Sequence, residues 1–535
     1  MQPVAAYDAS AAADQQTVLE ALRQVADTLR ALQADALTLQ ARAAAAAQAS
    51  ASYGIARQSY DLGGIGQFSF LDAQRQQLQT SVDRTGAQAQ RLCRHRGTFA
   101  SARWGLVSHR FTATPFKSTI LYSVTLSNIP PETIMLNLLG IRSLLETRRP
   151  GHTLPQGFYI DPDVFEFDLA AIYGRSWIMA GFEVELPKPG SYLAISIGRS
   201  PVVIVRDRSG VLRAFHNTCR HRGAQICATG TGHESRLVCP YHGWTYNLDG
   251  TLFHNTQMPQ DFARSQHGLR PIHLETIAGT LYVCLADEPP PFSPFREHFE
   301  PLLAPHDLTN AKVAFEGVLV EQANWKLVME NARECYHCAA KHPELAKPYP
   351  VRRSKTVFEG GAITKAFEVR MAALGLGVGP VEGDWWQASR YPLNEGIVSL
   401  TMDGLPSVGK TLGRVGDGNV GTLRWALEPH SFCHALGDYV FMFSAMPTGP
   451  QETVVTSKWL VSKDAVPGVD FNVDRLTELW TKTNDQDRAL AENNQRGVCS
   501  LGYTPGPYSP EAESLVLRFT DWYCAKARSF IEANA

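Results

Sequence analysis

Hydrophobic residues at Val18, Leu22, Val25, Leu29, Leu32, Ala36 and Leu39 recur at alternating steps of four and three. Such a heptad seam predicts one long helix that packs along its length against a partner helix. Gly63 and Gly64 break the pattern, which restarts over 71–82. From residue 93 to about 148 no steady period holds, and Pro130-Pro131 interrupts the chain, so this stretch reads as linker or poorly ordered chain. The longest apolar run outside the Ala-rich region, 134–145, contains Asn137 and Arg142 and falls short of the ~20 residues that a bilayer requires. Beyond Arg148 the texture changes to short strands such as 202–205, with Asp249-Gly250 as a hairpin turn. The prolines between Pro289 and Pro294 mark the end of this β unit. Helical stretches at 325–340 and 473–495 then mix with strands such as 439–446, and no internal repeat is found. The layout predicted is a helical coiled-coil-like extension over 1–92, a linker over 93–148, a β-rich domain over 149–295 and a mixed domain over 296–535, an α+β chain.

Composition narrows the function. A length of 535 residues suggests three to four domains of ordinary size, and 44% hydrophobic with 19% charged residues describes folded rather than disordered chain. Fifty Lys+Arg against 52 Asp+Glu leave a net charge of −2, so no global basic field draws nucleic acid or anionic membrane. Neither partner is expected. Ten cysteines are too sparse for a disulfide-stapled secreted scaffold, and several adjoin histidines, which favours metal chemistry in a reducing compartment, by default the cytoplasm. The N-terminus has no cationic segment followed by an apolar run, so no signal peptide is read there.

Two constellations carry chemistry. In NTCRHRGAQICATGTGHESRLVCPYHG, one residue lies between Cys219 and His221 and two lie between Cys239 and His242. A zinc finger orders its ligands as like pairs, whereas here each loop offers one thiolate and one imidazole. That set suits a two-iron two-sulfur cluster with two Cys on one iron and two His on the other, a one-electron relay of raised potential. Structural zinc is the competing reading. Gly223 and Gly243 would let the loops turn, Pro240 and Trp244 would shield them, and Cys227 reads as a small core residue.

In NWKLVMENARECYHCAAKHPELAKPYP, His337 and His342 are five apart. Five residues of unbroken helix turn the side chains about 140° apart, so a distortion is required to aim both rings at one point, and Pro343 supplies a reason for one. Two imidazoles and a distant carboxylate would form the facial triad of a non-haem Fe(II) site. Asp487 is the leading third ligand, with Asp485 and Glu492 as competitors.

The pattern C-x-H-R-G…C-P-Y-H-G-W resembles the Rieske [2Fe-2S] domain, and the region from about Leu154 onward resembles the catalytic subunit of Rieske non-haem iron oxygenases. The resemblance implies a Rieske domain followed by a helix-grip catalytic domain, arranged as a homotrimer in which one subunit's cluster faces its neighbour's iron. Glu334 then matches the family's bridging carboxylate, while Asn331 and Tyr336 sit at further positions near the iron. Electrons would come ultimately from NAD(P)H through a separate flavin or iron–sulfur reductase, because no G-x-G-x-x-G fingerprint follows a strand. Residues up to about 90 instead resemble the C-terminal helices of outer-membrane efflux channel proteins, through YDLGGIGQFSFLDAQRQ, and residues 1–148 are expected to be dispensable for oxygenation.

ENARECYHCAAKHPELAKPYP, with Glu where ring dioxygenases usually carry Asp, looks like the branch acting on quaternary ammonium compounds. The reaction implied is hydroxylation of an N-methyl group, with glycine betaine giving dimethylglycine and formaldehyde. Stachydrine, carnitine, choline or an aromatic ring are the alternative substrates. A Rieske electron carrier without oxygenase activity, and an efflux-channel component read from the N-terminal helices alone, are the alternatives of other classes. A permanent cation is best held by aromatic faces; Trp385, Trp386, Tyr391 and Phe432 are the candidates, with a cation or His434 for a carboxylate.

Overall fold

The computed structural model describes residues 137–351 and 364–534, with isolated helical positions at 42, 43, 45, 48–50, 52–54, 77 and 80. The coiled-coil-like extension, its efflux-channel likeness and most of the linker therefore lie outside the described residues. The end of that linker is not linker: Leu138–Glu146 forms helix α1, capped by the Asn137 side chain accepting from the Gly140 amide. Its two buried residues, Ile141 and Leu145, are four apart, one short stripe that a window of ordinary length averages away.

Ten strands build the first part of the described fold. β1 (Ile178–Phe182), β2 (Ser191–Ile197), β3 (Ser200–Arg206), β4 (Leu212–His216), β5 (Gly230–His233), β9 (Pro271–Ile277) and β10 (Thr280–Cys284) form one antiparallel sheet in the order β1-β10-β9-β4-β3-β2-β5. β6 (Leu237–Val238), β7 (Thr245–Tyr246) and β8 (Leu252–His254) make a second, three-stranded sheet. The Asp249-Gly250 turn joins β7 to β8: the Asp249 carboxylate accepts from the Thr251 amide, and Gly250 has φ +86°. A Cβ at Gly250 would come within 2.4 Å of Phe215, so glycine is required there by space as well as by angle.

The proline-rich end of this unit leads into α2 (Ser293–Leu303). A seven-stranded antiparallel sheet follows, in the order β11-β17-β16-β15-β14-β13-β12. Its members are β11 (Ala311–Glu321), β12 (Val381–Glu382), β13 (Trp386–Tyr391), β14 (Thr422–Leu427), β15 (Ser431–Ala435), β16 (Val440–Gly449) and β17 (Glu452–Ser462). The expected single helix over 325–340 is two: α3 (Trp325–Asn331) and the four-residue α4 (Cys338–Lys341), with six non-helical residues between. α5 (Val473–Val498) packs on one face of the sheet, where Trp480 stacks on Phe441 at 4.3 Å and Asn484 donates to Ser457. α6 (Ser514–Ala533) closes the chain.

Buried polar groups tie these parts together. Lys458 of β17 pairs with Glu185 of the β-rich part, both nearly inaccessible. Glu330 on α3 accepts hydrogen bonds from the Tyr159 and Tyr508 hydroxyls. Burial outweighs these bonds and raises its pKa to about 7. A carboxyl whose folded pKa lies above its unfolded value stabilises fully below the unfolded value and loses that contribution as pH rises through the folded one. Glu330 is therefore expected to lower stability as pH rises from about 4.5 to about 7. Glu330→Gln should flatten that part of the stability profile; parallel urea-denaturation profiles for the two proteins would refute it.

Candidate active site

Two loops of the β-rich part repeat one turn. After β4, the Cys219 amide donates to the Ala224 carbonyl and the Gly223 amide donates back to Cys219; after β6, Cys239 and Trp244, then Gly243 and Cys239, do the same. Both glycines have positive φ, +81° and +69°, which a four-residue reversal needs. The repeat places Cys219 and Cys239 in the interior while His221 is exposed and His242 half-buried, with ring centres 4.7 Å apart. Trp244 stacks on His221 at 4.9 Å. Two buried sulfurs and two outward imidazoles are a donor set that fits a two-iron two-sulfur cluster. The Tyr246 hydroxyl accepts from the Arg220 amide, leaving its own proton for Cys219 Sγ, 3.3 Å away. Burial raises the Cys219 thiol above its ordinary pKa, so binding at this site releases protons. Cys227 is buried in this core, its backbone held by Asn217, and takes no place among the four.

The second constellation is built by the break between α3 and α4. His337 caps the start of α4 and His342 lies just past its end, so each ring leaves the backbone outside the helix and the 140° obstacle disappears. Cys335 and Cys338 are joined as a disulfide spanning His337, a pairing the sparse cysteine count did not suggest. From α5, Asp487 Oδ1 lies 3.2 Å from His337 Nε2 and 2.9 Å from His342 Nε2, and the two Nε2 atoms are 3.0 Å apart. Donors bonded at about 2.1 Å and at right angles lie about 3.0 Å apart, so this triangle matches one face of an octahedral metal site. Asp485 pairs on the surface with Arg488, and Glu492 accepts from the Gln322 amide; neither joins the triangle.

The outer nitrogens are held too. His337 Nδ1 meets Glu334, and His342 Nδ1 donates to Gln486 at 2.7 Å, which turns both Nε2 lone pairs inward. Burial alone would lower the His337 pKa, but the Asp487 and Glu334 carboxylates prevail and raise it to about 9; His342 is raised, against its own burial, by Asp487 and by its bond to Gln486. The pocket thus draws positive charge onto its nitrogens, and a divalent cation supplies that charge without protons. Gln486 escaped the sequence reading although it adjoins Asp487.

The cavity over this triangle corrects part of the aromatic expectation. Phe432 and His434 line it, joined by Phe443, Trp480 and Tyr349, which sequence did not single out. Alternation along β15 and β16 was the available signal, because Phe432 pairs with Phe443 and both face the same way. Trp385 and Trp386 do not line it: they pack on Phe295 of α2, at 4.8 and 5.3 Å. Tyr391 stands one layer back, hydrogen-bonded to the Tyr349 hydroxyl at 2.6 Å. Asn331 lines the cavity, whereas Tyr336 is exposed.

A sulfur–imidazole cluster site followed by a two-histidine, one-carboxylate triangle on a helix-gripping sheet defines a Rieske-type oxygenase. The Rieske [2Fe-2S] domain family matches residues 176–276, and the ring hydroxylating alpha subunit catalytic domain matches 308–528. The glycine betaine monooxygenase oxygenase subunit of Pseudomonas aeruginosa is 44% identical over 394 residues, 71% of this chain and 90% of that one. Its counterpart from Chromohalobacter salexigens is 42% identical over 73% of this chain and 89% of the relative. A crystal structure of a quaternary ammonium Rieske monooxygenase with L-carnitine shares the fold, with TM-score 0.55 and 21% identity over 72% of this chain and 98% of that one. The chain belongs to the Rieske non-haem iron oxygenase family, as an oxygenase subunit.

Proposed function

We propose that this protein is the oxygenase component of a glycine betaine monooxygenase, converting glycine betaine and dioxygen to dimethylglycine and formaldehyde. The observation that carries the reading is the cavity itself: three donor atoms mutually about 3 Å apart in a pocket that Phe432, Phe443 and Trp480 also line. Cys219, His221, Cys239 and His242 would hold the cluster, and His337, His342 and Asp487 the iron. When bound, these groups supply single electrons and activate dioxygen beside the substrate.

The chain's own residues do the rest. Glu334 and Gln486 hold the two imidazoles in the tautomer that presents Nε2. The aromatic rings attract a cation that has no N–H to donate, each worth about 0.5–2 kcal/mol, and keep water from the reacting methyl group. Insertion of one oxygen atom into an N-methyl C–H bond gives a carbinolamine, which collapses to formaldehyde and the demethylated amine, while two electrons from the reductase and two protons convert the second oxygen atom to water. By its resemblance to the family's bridging carboxylate, Glu334 would link to a neighbour's cluster histidine, so a homotrimer and a separate reductase fed by NAD(P)H form part of this proposal, as does a cytoplasmic location. No described helix is long and apolar enough to cross a membrane.

The test is oxygen uptake by the reconstituted protein with a competent reductase against glycine betaine, choline, carnitine and an arene. Formaldehyde equal to the glycine betaine consumed is expected; a diol from the arene with no formaldehyde from betaine would overturn the reading.

A further inference from the structure

The sheet face above the triad carries one more charged group. Arg424 on β14 stands opposite His434 on β15, and Phe432 stands opposite Phe443 on β16. Directly opposed residues share a face, so all four side chains point to the side of the sheet that α5 covers with Trp480. Arg424 is buried, and its guanidinium carbon lies 5.8 Å from the centre of the Phe432 ring. Among the described residues that line the cavity it is the sole Lys or Arg. Of the three acids that line the cavity, Asp487 and Glu334 belong to the triad and Glu321 lies near Asp487. His434 does not compete as a cation, because burial and Arg424 push its pKa well below the ordinary value. The cavity therefore combines the carboxylates of the triad with aromatic side chains and a guanidinium that lies over the Phe432 ring.

We propose that Arg424 is the carboxylate anchor that makes this site select zwitterionic quaternary ammonium substrates over those lacking a carboxylate. The inference rests on the functional reading above and adds the residue that sets substrate class. In glycine betaine one methylene separates the nitrogen from the carboxylate carbon, about 2.5 Å by ordinary bond lengths. A ring and a guanidinium 5.8 Å apart can hold both ends of so short a molecule. Arg424 presents two parallel N–H donors to the carboxylate, and the trimethylammonium head is left against Phe432, Phe443 and Trp480 with a methyl toward the triad.

The experiment compares the unaltered holoenzyme with Arg424→Gln and Arg424→Lys. Formaldehyde release is measured with glycine betaine and with two probes lacking a carboxylate, choline and tetramethylammonium; calorimetry under anaerobic conditions gives glycine betaine affinity separately. Arg424→Gln should lose roughly 10–100-fold in both affinity and kcat/KM for glycine betaine, the range of a charged hydrogen-bonded pair, while the two probes change by less than about threefold. Arg424→Lys should recover part of the loss, because it restores charge without the fork. Should Arg424→Gln fail to hold its cluster colour, Arg424→Lys carries the same comparison. Equal losses on all three compounds, or unchanged glycine betaine affinity, would overturn the anchor while leaving betaine demethylation standing. An unaltered enzyme inert toward all three would instead overturn the functional reading and this inference with it.

Discussion

Asp487→Ala is expected to abolish oxygenation while leaving the cluster's visible spectrum intact. Asp487 is the carboxylate corner of the donor triangle and reaches it from α5, 145 residues beyond His342. Its removal leaves two neutral donors where three bound, and the charge that favours a divalent cation falls by one. Even partners that touch a ligand without touching the metal are worth 10–100-fold in affinity, so loss of a ligand should exceed about 100-fold. Glu334→Gln is the graded control: it keeps the triangle, weakens the grip on His337 Nδ1 and should fall within that smaller range. Iron analysis separates the sites, because the proposed cluster donors come from the loops after β4 and β6 and share no side chain with the triangle. Retention of mononuclear iron in Asp487→Ala would show that the triangle is not the metal site.

The largest expected loss of stability falls at Asp168. Its carboxylate is inaccessible and takes three donors, the Lys326 ammonium, Trp325 Nε1 at 2.9 Å and the Tyr523 hydroxyl at 2.7 Å. These come from α3 and α6, so one side chain joins the segment before β1 to two distant helices. Burial lowers the Lys326 pKa, and Asp168 is what keeps its charge tolerable. Asp168→Ala strands an ammonium in the core, which costs about 3–5 kcal/mol where a whole domain is stable by only about 5–15. The double variant Asp168→Ala with Lys326→Met should regain much of that loss, because an apolar replacement removes the stranded charge. Denaturation midpoints decide it; a double variant no more stable than the single one would contradict the account. Activity should fall with stability here, since α3 leads directly into the loop that carries His337.

Local features of this chain were legible in its letters because each depends on neighbours in sequence. The two Cys-His loops are short reversals with glycine where φ must be positive, so spacing alone revealed them. The need for a break between His337 and His342 followed from helix geometry, and α5 followed from its length and period. The α1 helix was missed because two buried residues make too short a pattern, and Trp385 and Trp386 were misplaced because aromatic residues fill cores as readily as they line sites.

What sequence determined by itself was the chemistry on offer: sulfur and imidazole donors in one region, a histidine pair and a choice of carboxylates in another. Tertiary structure alone decided which carboxylate closes the triangle, since Asp485, Asp487 and Glu492 share one helix and only its rotation over the sheet separates them. It also decided the walls of the cavity. Strand register sets which alternate residues face inward, and that register is fixed by contacts between strands rather than along them, so Phe443, Arg424 and Trp480 meet Phe432 only once the sheet and its covering helix have formed.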